Sequence, residues 1–322
     1  MSKKYFNKVN LQLFADMNTM TTGTGSLSPE MKVFYSDYLI DNAVPKLVHD
    51  QFGQKHPIPK NGGKTIEFRK YSPLPKLLTP LTEGVTPDGQ SLTVTTIEAT
   101  VAQYGGYVTL SDVLLLTAID NNMVQATKLL GNQAGATLDT ITREVLNGGT
   151  NVVYAGGVDS RGALAANLKV DDIKKAVRAL KTQNAEKIGD SFVAIIHPDV
   201  TYDLTNDPAW QAVKDYDPKD WYEGEIGKIA GVRFVETTEA KIFEGGVYST
   251  LILGDNAYGV TEIEGGGLQH IVKQLGSAGT ADALDQRATV GWKAIKVAER
   301  LVEQFMVRVE SKSTFSSEAV AN

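Results

Sequence analysis

Asn121-Asn-Met-Val-Gln-Ala-Thr-Lys-Leu-Leu-Gly131-Asn-Gln-Ala-Gly135-Ala-Thr-Leu-Asp-Thr-Ile-Thr-Arg-Glu-Val-Leu146 is the stretch around which the chain is organised. Met123, Leu130, Ala134, Leu138, Ile141 and Val145 recur at three-, four- and seven-residue steps, with Gln125, Lys128, Asn132, Asp139 and Arg143 largely between them. That spacing lays one apolar stripe along a helix. Asp120 is placed to cap its start, and Gly148-Gly149 ends it. Such a helix runs about 40 Å. Gly131 and Gly135 lie inside it, each costing about 1 kcal/mol against Ala, so each marks a close approach by another element. A central core helix and a spine for a larger assembly both fit this pattern.

Working outward, Ser111-Asp112 starts a short helix over Val113 to Ala118, and before it lies an extended hairpin. Lys64 to Tyr71 alternates, with Ile66 and Phe68 on one face and Glu67 and Arg69 on the other. Ser72-Pro-Leu-Pro75 breaks the strand, Thr86-Pro-Asp-Gly89 signals a turn, and a return strand runs from about Leu92 to Leu110. The distal part, Lys76 to Thr96, reads as too poor in large apolar side chains for a core of its own. A two-stranded ribbon is marginal alone in water. The hairpin therefore folds back on its own domain or lies on a neighbouring molecule.

Upstream, residues 1 to about 30 form a linker-like arm ending in Asn18-Thr-Met-Thr-Thr-Gly-Thr-Gly-Ser26. Ser28-Pro29 opens a helix through Tyr38, and an apolar stretch from Leu39 to Phe52 stops at His56-Pro-Ile-Pro59. Downstream, Gly148 to Gly157 reads as a loop. Asp171 to Lys181 is a basic amphipathic helix, Phe192 to Ile196 a buried strand, and Asp199 to Asn206 a short helix. Ala209 to Glu225 is irregular. Strands follow at Val232 to Glu236, Val247 to Leu253 and Leu268 to Leu275. Arg287 to Val297 and Leu301 to Val309 look like a paired ribbon before a polar tail. This order reads as α+β with non-local pairing.

The 322 residues suffice for two packed domains, or one with large excursions. A net charge of −6 argues against an overall basic nucleic-acid binder. With no cysteine, the chain has neither a disulfide framework nor a thiolate metal site, which fits a reducing compartment. No apolar run reaches membrane-spanning length. The start, with Lys3, Lys4 and Lys8 before Leu11, Leu13 and Phe14, is too short and broken in its apolar part for a signal peptide.

Chemistry-bearing patterns are sparse. Gly63-Lys-Thr65 imitates the end of a phosphate-binding loop, but Ile58 stands where the earlier glycine belongs, and the motif precedes a strand. His49, His56, His197 and His270 lack ligand spacing. His197-Pro-Asp199 reads as a strand-end turn. Asp215, Asp217, Asp220, Glu223 and Glu225 form an acidic patch without a calcium-loop pattern. Lys174, Lys175, Arg178 and Lys181 form a basic helix face that is either solvated or meets phosphate. We expect no catalytic residues, no cofactor and no metal.

Four stretches resemble the major capsid proteins of tailed bacteriophages: Leu78-Thr-Pro-Leu-Thr-Glu-Gly-Val-Thr-Pro-Asp-Gly89, Ala99-Thr-Val-Ala-Gln-Tyr-Gly-Gly-Tyr107 with Ser111-Asp112, Leu130-Gly-Asn-Gln-Ala-Gly-Ala-Thr-Leu-Asp139 with Ile141-Thr-Arg143, and Asp285-Gln-Arg-Ala-Thr-Val-Gly-Trp-Lys293. Asn10-Leu-Gln-Leu-Phe-Ala15 also resembles starts of phage structural proteins. The resemblance covers about residues 60 to 310 and is strongest to the podovirus-like branch. Asn121 departs from it, standing where a proline is expected.

The resemblance implies the α+β Johnson fold of such shells. Its parts would be an N-terminal arm and helix (1–60), an extended β-hairpin loop (61–110), a peripheral domain with the long spine helix (111–165), an axial domain (166–284), and return strands of the peripheral domain with a tail (285–322). Arg69, Lys70, Leu78, Leu81, Glu83, Val85 and Asp88 would make inter-subunit contacts through the loop. Leu130, Gly131, Ala134, Gly135, Leu138 and Ile141 would pack the spine helix. The implied function is a structural, non-enzymatic subunit that self-assembles into hexamers and pentamers of an icosahedral head enclosing double-stranded DNA. Implied partners are further copies of the chain, a separate scaffolding protein, a portal, a possible decoration protein and weak non-specific contact with packaged DNA; no membrane is involved. Assembly would take place in the host cytoplasm, and the product would be the virion capsid. An encapsulin-type cellular compartment shell is the alternative, and an enzyme with an unrecognised site is the third reading.

Overall fold

The computed structural model describes residues 19–20 and 48–322, apart from 73, 82, 87, 119–121, 215–226 and 278. The expected helix after Ser28-Pro29, the cap at Asp120 and the acidic patch from Asp215 to Glu225 lie outside the described residues. The strands are β1 (Thr19–Met20), β2 (Gln54–Lys55), β3 (Thr65–Tyr71), β4 (Val94–Thr100), β5 (Ala102–Ser111), β6 (Val152–Tyr154), β7 (Phe192–Ile196), β8 (Lys228–Ile229), β9 (Val232–Glu236), β10 (Ile242–Phe243), β11 (Val247–Leu253), β12 (Tyr258–Thr261), β13 (Gln269–Lys273), β14 (Arg287–Arg300) and β15 (Met306–Ser311). The helices are α1 (Asp112–Thr117), α2 (Asn122–Asn147), α3 (Val170–Thr182), α4 (Pro198–Thr205) and α5 (Pro208–Lys214).

The chain divides into two compact units. The first comprises residues 1–42, 105–134 and 268–293; the second comprises 43–104, 135–267 and 294–322. In the first unit β5 has β1 and β14 as neighbours, and β13 pairs antiparallel with β14 from Gln269↔Lys293 to Lys273↔Thr289. Leu110 and Leu114 pack there with Val108, Leu115, Ala118 and Met123. Ser111 caps α1, its Oγ accepting from the Leu114 amide at 3.2 Å.

The second unit is built on a seven-stranded sheet in the order β6-β15-β11-β7-β9-β8, with β10 also on β11. β7 (Phe-Val-Ala-Ile-Ile) and β11 (Val-Tyr-Ser-Thr-Leu-Ile-Leu) are buried throughout, as central strands rich in branched residues require. Against this sheet α3 buries Ile173, Ala176, Val177 and Leu180. Asp171 and Asp172 sit in its first turn, where the helix dipole favours negative charge. Separately, β12 pairs with the end of β14 and with β2.

The final strands correct an expectation: β14 and β15 are not a paired ribbon. β14 is bonded to β12 and β13, whereas β15 pairs with β11 and, in parallel, with β6. The edges that would have joined them are occupied by other strands, and a 3-10 turn over Glu303–Phe305 separates them. Two more differences fall on weak local signals. β6 lies inside the glycine-bounded segment read as a loop, and α5 inside the segment read as irregular.

Helix α2 matches its expected span to within a residue at each end, but its faces differ from the simple stripe. Asp139 and Arg143, placed by periodicity on the polar side, are buried. Asp139 accepts from the His49 amide at 2.8 Å and lies 2.6 Å from His49 Nδ1. Arg143 donates to Glu144 at 2.8 Å and to the Glu239 carbonyl at 3.0 Å. Nearby, Lys296 is buried against the Asp50 carboxylate and donates to the Leu138 carbonyl at 2.8 Å. These partners satisfy charges that could not otherwise leave water.

Candidate assembly surface

The hairpin forms as its alternation requires. β3 and β4 pair antiparallel from Thr65↔Thr100 to Tyr71↔Val94, with Phe68 opposite Ile97 and Ile66 opposite Ala99. Those four side chains share one face and are buried or half-buried, while Glu67 and Arg69 on the other face are exposed. The Glu67–Arg69 pair, 3.5 Å apart in solvent, contributes little. Among the described residues β3 and β4 pair only with each other. Ser72 then donates to the Thr93 carbonyl at 3.0 Å, the last rung before an irregular tip.

The tip is richer in apolar side chains than its sequence reading allowed, and it exposes them. Leu77, Leu78 and Leu81 are 77%, 85% and 75% exposed, and Leu74, Val85 and Leu92 are exposed as well. Fully burying one such side chain is worth about 1.5–3 kcal/mol. Six large apolar side chains in one hairpin tip are thus left in water, and exposed apolar patches commonly mark interaction sites. A turn falls at Glu83–Gly84, where Gly84 takes φ +77; Pro87, at the centre of the expected turn Thr86-Pro-Asp-Gly89, lies outside the described residues. Glycine adopts that conformation most readily, having no Cβ to clash. Arg69, Lys70, Leu78, Leu81, Glu83, Val85 and Asp88 are thus brought together as exposed groups of one hairpin.

At the hairpin's base lies a cleft of about 510 Å³, whose lining includes Gln54, His56, Phe68, Lys70, Asn256 and Leu301. The Phe68 ring meets the His56 ring edge-on at 5.8 Å. Phe68 also lies against β12: a Cβ built on Gly259 would stand 3.3 Å from its Cζ. Local patterning identifies Phe68 as inward-facing, but nothing in the sequence marks Gly259 as its seat.

The spine-helix positions divide. Leu130 and Ala134 are buried, and Gly135, Leu138 and Ile141 are half-buried. Gly131 is exposed, and a Cβ built there meets no atom within 4 Å. The expected close approach at Gly131 is therefore absent among the described residues.

The remaining candidates are structural in their geometry. Gly63, at φ +89, leads into β3 instead of cradling a phosphate. His197 caps α4, with Nδ1 accepting from the Asp199 amide at 3.2 Å, and Pro198 follows at the first helical position. Burial lowers the His197 pKa, against the opposing charges of Asp199 and Glu236. Tyr248 donates to Asp199 at 2.5 Å, and its own pKa is raised by burial and by that carboxylate. His56 and His270 are exposed, and among the described residues no three His, Asp or Glu side chains come together in a metal-binding group. No helix among them is long and apolar enough to cross a membrane. On α3, Lys175 pairs with Asp171 at 2.8 Å, while Lys174, Arg178 and Lys181 line a shallow groove with Val177, Thr182 and Ala230.

The described residues thus form an α+β body with an exposed apolar hairpin. The family model described as phage capsid protein matches residues 94–301, and the chain belongs to that family. No curated protein matches. Solved capsid structures share the fold at low identity. The capsid of cyanophage P-SCSP1u has a TM-score of 0.66 at 14% identity, covering 91% of this chain and 96% of that one. The capsid of Ralstonia phage GP4 has 0.65 at 14% identity, covering 92% and 98%. The cyanophage Pam1 capsid has 0.64 at 14% identity, covering 89% and 97%. The architecture is thus the α+β Johnson fold, and the chain is a structural capsid protein of the virion. The encapsulin alternative is not favoured, since the family match is to phage capsid proteins.

Proposed function

We propose that this chain self-assembles through hexamers and pentamers into the icosahedral head of a phage, enclosing double-stranded DNA. The observation that carries the reading is the hairpin from Thr65 to Thr100. Its strands pair only with each other among the described residues, and its tip leaves Leu77, Leu78, Leu81, Val85 and Leu92 in solvent. A subunit gains nothing alone from that exposure; laid on a neighbour, the same residues become an interface core. Arg69, Lys70, Glu83 and Asp88 supply the polar rim. In this reading residues 166–284 are the axial domain around capsomer centres, and Leu130, Gly131, Ala134, Gly135, Leu138 and Ile141 pack the spine helix in the assembled shell. Assembly in the host cytoplasm uses a separate scaffolding protein, a portal and, where present, a decoration protein. Contact with DNA is weak and sequence-independent. The chain carries out no catalysis.

Deleting Leu77 to Thr95 tests the reading. We expect a folded, soluble subunit with an unchanged circular dichroism spectrum and no closed shells by electron microscopy. Shells of normal size and yield from the deleted chain would remove the hairpin from the assembly surface.

A further inference from the structure

The hairpin has one inward apolar face, and that face has one prominent anchor. Of Ile66, Phe68, Ile97 and Ala99, Phe68 supplies the only ring. It lies over the backbone of Gly259, where a Cβ would stand 3.3 Å from Phe68 Cζ and 3.4 Å from Leu301 Cδ1. His56 closes the other side edge-on, with ring centroids 5.8 Å apart at 66°. Beside this contact is the cleft of about 510 Å³ rather than packed side chains. A hairpin seated on a solid core would have its direction fixed by many contacts. Here Ala99 is buried near the base of the hairpin, and farther out Phe68 is the large side chain set against a flat strand position outside the hairpin. Leu78 lies ten residues beyond Phe68, up to about 33 Å of extended chain. A few degrees of tilt at the seat therefore displaces the tip by ångströms.

We infer that Phe68, seated on Gly259, is a positioning residue for assembly: it sets the direction in which the hairpin leaves the subunit, without itself touching the neighbour. The inference rests on the hairpin being the assembly element, and the test separates the two claims. Four variants are compared with the parent for shell yield by sedimentation and electron microscopy, and for folding by thermal melting. F68A empties the seat, and G259V pushes the ring off it. F68A/G259V refills the space from the opposite side. L78D/L81D attacks the tip instead. F68A and G259V are expected to melt cooperatively yet lower the yield of closed shells at least about tenfold. The double variant is expected to recover at least half of that loss, a rescue that a general loss of stability would not produce. F68L, which keeps a smaller apolar plug, carries the comparison if F68A does not fold. Normal shells from F68A and G259V alongside failure of L78D/L81D would overturn the positioning role and leave the hairpin reading standing. A double variant no better than G259V alone would also overturn it. Normal shells from L78D/L81D would overturn the hairpin reading itself.

Discussion

Replacing Glu310 should destabilise the subunit strongly. Its side chain, on β15, is fully buried. Arg161 clamps it with two donors, Nε to Oε2 at 2.7 Å and Nη2 to Oε1 at 2.6 Å. Arg308 Nε lies 2.8 Å from Oε1, a charge contact more than an aligned hydrogen bond. Below them the Phe243 ring lies 3.7 Å from the Arg161 guanidinium. The hydrogen bond to Glu310 raises the Arg161 pKa, whereas burial lowers that of Arg308. Changing Glu310→Gln keeps the shape and deletes the charge. Removing one partner of a buried pair costs about 3–5 kcal/mol, because the other charge stays buried without compensation. Arg161 is partly exposed and can rehydrate, which discounts its share, whereas Arg308 cannot. We therefore expect about 3 kcal/mol. The assay is urea unfolding of the hairpin-deleted subunit, so that assembly does not contribute. E310L/R308M, which removes both buried charges, should recover part of the loss. A cost below about 1 kcal/mol for E310Q would refute the argument that the cluster is electrostatically committed.

Gly131→Ala should stabilise the subunit by about 0.5–1 kcal/mol, since the position is helical, exposed and open; a lower melting temperature would reveal a contact that the described residues do not show, and loss of shells with raised stability would place that contact between copies. Acid should weaken the second unit through His197. Its folded pKa lies below the unfolded value near ~6.5, so the unfolded chain takes up the proton first. That contribution is complete above about pH 6.5 and is lost as pH falls toward the folded pKa, so His197→Asn should flatten the stability profile in that window; an identical slope would show that His197 does not titrate on unfolding. Isolated subunits should show no measurable duplex DNA binding near about 150 mM salt. K174Q/R178Q/K181Q should reduce whatever binding remains at low salt, and a submicromolar sequence-selective complex would overturn the structural reading.

Elements with a strong local signature were legible in the sequence. β7, β9 and β11 fall on their expected residues because each is a run of branched or aromatic side chains bounded by turn residues. Helices α2 and α3 follow from periodicity, and the hairpin from alternation between proline-rich breaks. What escaped depends on partners far away in the chain. Asp139 meets His49 across 90 residues, so its burial leaves no trace in local spacing. The separation of β14 from β15 depends on the distant strands that occupy their edges. β6 is three residues between glycines, too short for any period to show. At the candidate surface, the alternation of Ile66 and Phe68 could be read, but the seat on Gly259 could not. The exposure of the tip could not be read either, because its leucines are interleaved with prolines, threonines and charges, and their spacing does not say whether they are covered.

The central claim is that residues 74–92 of one copy are buried against another in a closed shell. Cryo-electron microscopy of particles assembled from the full-length chain tests it most directly. The account predicts icosahedral particles in which Leu77, Leu78 and Leu81 lie within van der Waals distance of a neighbouring subunit. Closed particles with those side chains still facing solvent, or a chain that stays monomeric under conditions where its scaffolding partner is supplied, would contradict it.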